Sequence, residues 1–162
     1  MDGDFHATWH TPAAYNGPAF TAGSGIFGYG AIGLGPIITD IWRNRDGNAE
    51  PPSGQRFTAY FRTTVTPTNP VNRLLLQGVL DDGCIIYANG AEITRINVTP
   101  SGDAADWQTT AVAEGNENRI ISHEVAGLSF PAGQPLDLAL SLHNRAPTSS
   151  DLGFNLRVLS LD

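Results

Sequence analysis

Asn89-Gly90 separates the apolar run Cys84-Ile85-Ile86-Tyr87-Ala88 from the return run Ala91-Glu92-Ile93. A two-residue connection of this kind closes as a type I′ turn, which needs positive φ at both central residues, and Asn followed by Gly meets that need best. The segment is thereby committed to an antiparallel hairpin. An acidic stretch, Leu80-Asp81-Asp82-Gly83, leads into it and reads as a turn.

The rest of the chain extends the β pattern. Residues 57–65 are rich in Thr, Tyr, Phe and Val and run up to Pro67. Residues 73–80 are an apolar run suited to a central strand covered on both faces. Residues 119–125 make a short strand. Leu136, Leu138, Leu140 and Leu142 alternate with Asp137, Ala139, Ser141 and His143, the period of a half-buried strand with His143 on its polar face. Phe154, Leu156 and Val158 alternate with Asn155 and Arg157 in the same way. No segment carries a sustained helical period with caps. Residues 5–22, with Phe5, Trp9, Tyr15 and Phe20 among Thr, Pro, Ala and Gly, read as extended chain with one or two short strands. Trp9 reads as a core or interface residue. Residues 43–56 and 97–118 are long loops, and loops of that length in a compact domain are often functional.

At 162 residues the chain predicts one domain over 1–162, with 1–22 as an extended N-terminal arm. Many short strands at this spacing indicate a sandwich or jelly roll. Net charge is −7, and the nine basic residues are all arginine. Such a surface repels phosphate backbones and anionic lipid, which argues against nucleic-acid and membrane partners. No apolar run reaches membrane-spanning length. Met1-Asp2-Gly3-Asp4 lacks the basic and apolar regions of a secretory leader, so the sequence reads either as an excised module or as a whole protein that reaches its destination without one. Cys84 is the single cysteine, which excludes an internal disulfide and predicts a buried thiol.

Several pieces, in order, resemble a module of bacterial extracellular proteins. Phe27-Gly28-Tyr29-Gly30, Thr58-Ala59-Tyr60-Phe61-Arg62, the Asp81 to Gly90 hairpin, Arg95-Ile96-Asn97, His143-Asn144 and Ser149-Ser150-Asp151-Leu152-Gly153-Phe154 are similar to its recurring elements. The resemblance implies an all-β, galactose-binding-domain-like jelly-roll sandwich, as in many carbohydrate-binding modules. Such modules usually accompany secreted hydrolases. A chain with no visible enzyme or leader also suits a phage or virus particle.

Candidate residues follow from chemistry. Trp42 and Trp107 lie in or beside the long loops. An indole offers a flat apolar face to the C–H surface of a sugar. Arg43, Asn44 and Asp46 beside Trp42 supply orienting hydrogen bonds. Asp81 and Asp82 are candidate Ca²⁺ ligands, since that ion favours clustered oxygens. A lectin-like family of adhesins carries a similar Asp pair for calcium-dependent sugar binding. The alternative is that these carboxylates cap their own turn. Asp46 with Asn48 is a weaker calcium candidate.

Other constellations point away from chemistry. Residues 23–28 and 28–33 fit G-x-G-x-x-G, but Pro36 and Ile37-Ile38 supply no helix start to hold a pyrophosphate. The run reads as tight turns and close backbone packing. His6 and His10 lie four apart in non-helical sequence. His123 and Glu124 point to opposite faces of a strand. Ser149, Ser150 and Asp151 with His143 hold the residue types of a triad, but read as a turn.

The sequence therefore predicts a non-catalytic, carbohydrate-binding surface-recognition module with no cofactor beyond the candidate calcium. Its partners are polysaccharide or glycan, and it sits on an extracellular or virion surface as a homo-oligomer or part of a larger assembly. The alternative is a phage or virus structural protein, such as a capsid decoration or tail-associated subunit, that contacts capsid or tail proteins.

Overall fold

The structure, a computed structural model, describes residues 3–13, 20–33, 35–42, 53–100, 102, 104–114 and 119–162. Among them one short helix, α1 (Gly3–Thr8), precedes strands β1 (Phe27–Tyr29), β2 (Thr39–Asp40), β3 (Thr58–Val65), β4 (Leu74–Asp81), β5 (Gly83–Ala88), β6 (Ala91–Ile96), β7 (Ile121–Val125), β8 (Leu136–His143) and β9 (Leu152–Ser160). They form two sheets, ordered β2-β1-β9-β4-β7 and β3-β8-β5-β6. The architecture is an all-β sandwich.

The β5–β6 hairpin forms as its turn residues dictate. Asn89 and Gly90 both take positive φ, 48° and 84°. Asn89 does more than turn: its Oδ1 accepts the Asp137 N–H at 2.9 Å, tying the hairpin to the start of β8. β8 lies between β3 and β5, and pairs with β3 in unbroken register from Thr58↔His143 to Val65↔Leu136.

Alternation sorts the side chains. Leu140 and Leu142 of β8 point inward with Phe61 of β3 and Cys84 and Ile86 of β5. They meet Leu74, Leu76 and Leu80 of β4 and Leu152 of β9 in one core. The opposite face of the second sheet carries Thr58, Tyr60 and Arg62, then His143, Ser141 and Ala139, then Ile85 and Tyr87, as the pairings require.

Three sequence expectations need correction. The start of the N-terminal segment is helical, not extended, over Gly3–Thr8. The helix is too short to show a period. Its register puts Phe5 and Trp9, four apart, on one side against Tyr60, with ring centroids 5.8 and 4.4 Å away. Second, β8 is not half-buried. Ser141 and His143 on its polar face are 3% and 2% exposed, because α1 and the loop after β6 cover them. Third, Asp81-Asp82 does more than turn the chain. It is the corner where the chain passes from β4 in one sheet to β5 in the other, and the two residues are 2% and 5% exposed.

The glycine-rich run performs as the sequence suggests. β1 lies inside it, and a Cβ on Gly30, at φ +73°, would collide with the Ser150 carbonyl. The chain there runs backbone against backbone, with no helix start among the described residues.

Candidate recognition face on the four-stranded sheet

The outer face of the second sheet is polar and aromatic, yet largely covered. Trp9 is wedged between Tyr60 and Tyr87, 4.4 and 5.5 Å between centroids, and is 3% exposed. His10 stacks on Tyr87 at 4.4 Å and 15°, and its Nδ1 lies 3.1 Å from the Gly90 carbonyl. Arg62 donates from Nη2 to the Thr11 carbonyl at 2.8 Å. Residues 5–11 thus form a strap across the strands.

Beneath the strap lies a Ser–His pair. His143 Nε2 is 2.8 Å from Ser141 Oγ, and its Nδ1 is 2.7 Å from the Thr109 carbonyl. A carbonyl only accepts, so Nδ1 carries the proton and Ser141 donates to Nε2. Burial lowers the His143 pKa, and Arg95 lowers it further, against the Thr109 carbonyl and Asp106, which raise it. Arg95 itself is locked onto Glu92 by two hydrogen bonds of 2.6 and 2.9 Å. The Tyr60 hydroxyl is pushed well above its ordinary pKa, first by burial and then by Asp106 and Tyr87. The pair has the polarity of a nucleophile and its base, but both groups are buried and their bonds are spent within the fold.

Trp107 stands at the rim of this face. It is 40% exposed. His6 stacks beside it at 5.8 Å and 26°, and Phe57 meets it edge-on at 5.5 Å. The loop that presents it is fixed. Asp106 Oδ1 accepts the Gln108 N–H at 2.8 Å, and the Trp107 carbonyl accepts the Thr58 hydroxyl at 2.8 Å. Asp106 and Gln108, both exposed, flank the indole. An anchored aromatic between polar side chains can stack on an apolar face and bond at its edges.

The other sequence candidates lie elsewhere. Trp42 is partly buried against the core and packs on Tyr29 at 5.2 Å. Arg56 stacks over the Tyr29 ring at 4.4 Å. Trp42 therefore belongs to a packing cluster beside β1 and is not seen joined to Trp107. Arg43, Asn44, Asp46 and Asn48 lie outside the described residues. Asp82 accepts the Arg145 N–H at 2.7 Å through Oδ2, and Asn97 donates to its carbonyl at 3.0 Å. A calcium shell needs oxygens. Here Asp82 faces a backbone donor 63 residues away, so the carboxylate ties loops together and does not simply cap its own turn. Among the described residues no three His, Cys, Asp or Glu side chains are grouped to hold a metal ion. Ser149 and Ser150 both donate to Asp151 Oδ1, at 3.3 and 3.2 Å, which makes the expected turn.

Sequence reasoning missed His6, Trp9, Tyr60 and Tyr87 as neighbours of Trp107 on one face. The four-residue spacing of Phe5 with Trp9 and of His6 with His10 was the available signal.

No protein-family model matches the chain, and no curated protein matches it. Among solved structures it is similar to Ruminococcus gnavus beta-glucuronidase, at 16% identity and a TM-score of 0.37. The likeness covers 56% of this chain and 13% of that one, so the chain spans a small part of that enzyme's length. Among the described residues no helix is long and apolar enough to cross a membrane.

Proposed function

We propose that this chain is a non-catalytic recognition module that binds carbohydrate at the rim of the four-stranded sheet, displayed on an extracellular or virion surface. The two-sheet arrangement suits the jelly-roll, galactose-binding-like form of the sandwich. One observation carries the reading. Trp107 is a large aromatic left 40% exposed on a loop that Asp106 and Thr58 hold in place. A fixed, half-exposed indole costs little to order on binding, which is the property of an aromatic anchor. Asp106, Gln108 and His6 supply polar groups around it. The buried Ser141–His143 pair lies under this face and serves to hold it.

A glycan array probed with the whole chain tests the reading, followed by calorimetry on the best binder. Saturable binding to a neutral glycan, lost in Trp107→Ala, supports it. Silence across the array, or full binding by the variant, removes it.

A second reading, a structural subunit of a virion, draws support from a different observation. Val65, Val158, Leu159 and Leu161 are exposed at the far end of the sandwich, where contact with another protein would cover them.

A further inference from the structure

β1 is short, and the sheet is incomplete as a result. β1 pairs with β9 only from Leu152 to Phe154. The chain before it turns aside at Ser24, which exchanges hydrogen bonds of 3.0 and 2.7 Å with the Thr39 hydroxyl. From Asn155 to Ser160, β9 is bonded to β4 on one side. On its other side, among the described residues, no strand pairs with it. The second sheet continues beneath, where β3 runs on to Val65. Phe27 of β1 packs over Phe61 of β3, with centroids 5.2 Å apart. Beyond Phe61, among the described residues, no strand of the upper layer lies beside β9 on that side. That side adjoins a cavity of about 470 Å³ between the sheets, lined by Phe61, Leu138 and Leu140 of the second sheet, by Leu76, Leu156 and Val158 of the first, and by Phe20 to Gly23 of the segment that precedes β1.

We propose that this side of β9 is a strand-acceptor site. It takes one extended peptide segment of a partner protein, added to the free edge of β9. Alternate apolar side chains of the segment fill the cavity, and acidic ones face outward beside Arg157.

Four observations select this occupant. The free edge is six residues long, about 20 Å, and backbone donors and acceptors that no strand pairs among the described residues are satisfied best by another strand. The space under it is apolar, so every second side chain of that strand finds an apolar place. β3 already fills the lower layer, so a folded sandwich, a second copy of this chain included, would bring its own second sheet into collision with β3. A lone extended segment avoids that collision. Arg157 is exposed on the outer side of β9 and makes no ion pair among the described residues. An acidic residue opposite it on an added strand is favoured.

The site is at the other end of the sandwich from Trp107, so glycan binding and strand addition succeed or fail independently. The test uses the whole chain and an array of capped heptapeptides. Their inward positions carry Val, Leu, Ile or Phe, and their outward positions Asp, Glu, Ser or Lys. The expected selection is an alternating peptide with acidic outward residues, which slows hydrogen exchange at those amides of 155–160 that point away from β4. Arg157→Glu is expected to weaken that peptide about fivefold and to shift the selection toward Lys. The proposal is overturned if those amides are already protected in the free chain. It is equally overturned if no alternating peptide protects them, or if shuffled peptides of the same composition bind as well. Lauric acid entering the cavity where no peptide does would make the site a lipid pocket instead.

Discussion

The rings of Trp9 and Tyr60 lie 4.4 Å apart and tilted by 35°. Through that contact the N-terminal segment closes over the outer face of the second sheet, and the polar side of β8 becomes interior. Burial of Ser141 and His143, the lowered pKa of His10, and the position of His6 beside Trp107 all depend on it.

Trp9→Ala should cost about 3–5 kcal/mol, the usual range for removing a buried indole. Urea unfolding followed by far-ultraviolet circular dichroism measures the loss. Hydrogen exchange should report faster opening at Ser141 and His143 in the same variant, because their cover goes with the indole. Unchanged protection of β8 would show that the strap does not seal it.

The two loop tryptophans should behave differently. Trp107→Ala is expected to abolish glycan binding while lowering stability by about 1 kcal/mol or less, since much of the ring is already in water. Trp42→Ala should lower stability by about 2–3 kcal/mol through lost packing on Tyr29 and the core, and leave the glycan titration intact. Calorimetry on both variants, with a thermal melt on each, distinguishes them.

Stability should fall on mild acidification. Burial lowers the pKa of His10 and of His143 from 6.5. Each group therefore takes up its proton more readily in the unfolded chain. Above pH 6.5 both states are neutral and the full stability is present. As the pH drops below 6.5 the unfolded state binds protons first, and stability declines until the folded-state values are passed. Urea midpoints between pH 8 and pH 5 should trace this decline, and His143→Gln should flatten it. A midpoint that rises toward pH 5 would contradict the sign.

Glycine substitutions should divide by what a Cβ would meet. At Gly78, φ is +151° and an added Cβ would run into the Asn155 carbonyl of β9. Gly78→Ala should therefore cost about 3 kcal/mol or more, or prevent folding. Gly133 has φ +70° but open space around it. Gly133→Ala should cost only about 1 kcal/mol, from backbone strain alone. Parallel melts of the two variants make the comparison.

Cys84 should be inert. Its thiol is fully buried, and burial pushes its pKa up to about 12. A thiol reagent at pH 8 should leave it unmodified in the folded chain and label it completely in denaturant. Rapid labelling under native conditions would mean that the β5 core opens readily.

Much of the fold was legible because its signals are local. The Asn89-Gly90 turn fixes its own dihedrals, and the leucines of β8 and the alternation of β9 announce strands within their own few residues. Legibility failed wherever burial is imposed from a distance. Trp42 and Trp107 look alike in sequence, and only the neighbours Tyr29 and His6, far along the chain from each, make one a packing residue and the other a rim residue. α1, β1 and β2 escaped notice because six, three and two residues are too few to show a period. The sequence by itself determined which segments are strands and how the hairpin turns, since backbone preference and side-chain alternation act over a few bonds. Only the tertiary structure decided which polar face is covered and which strand edge is left open, since both depend on where residues many positions away come to rest.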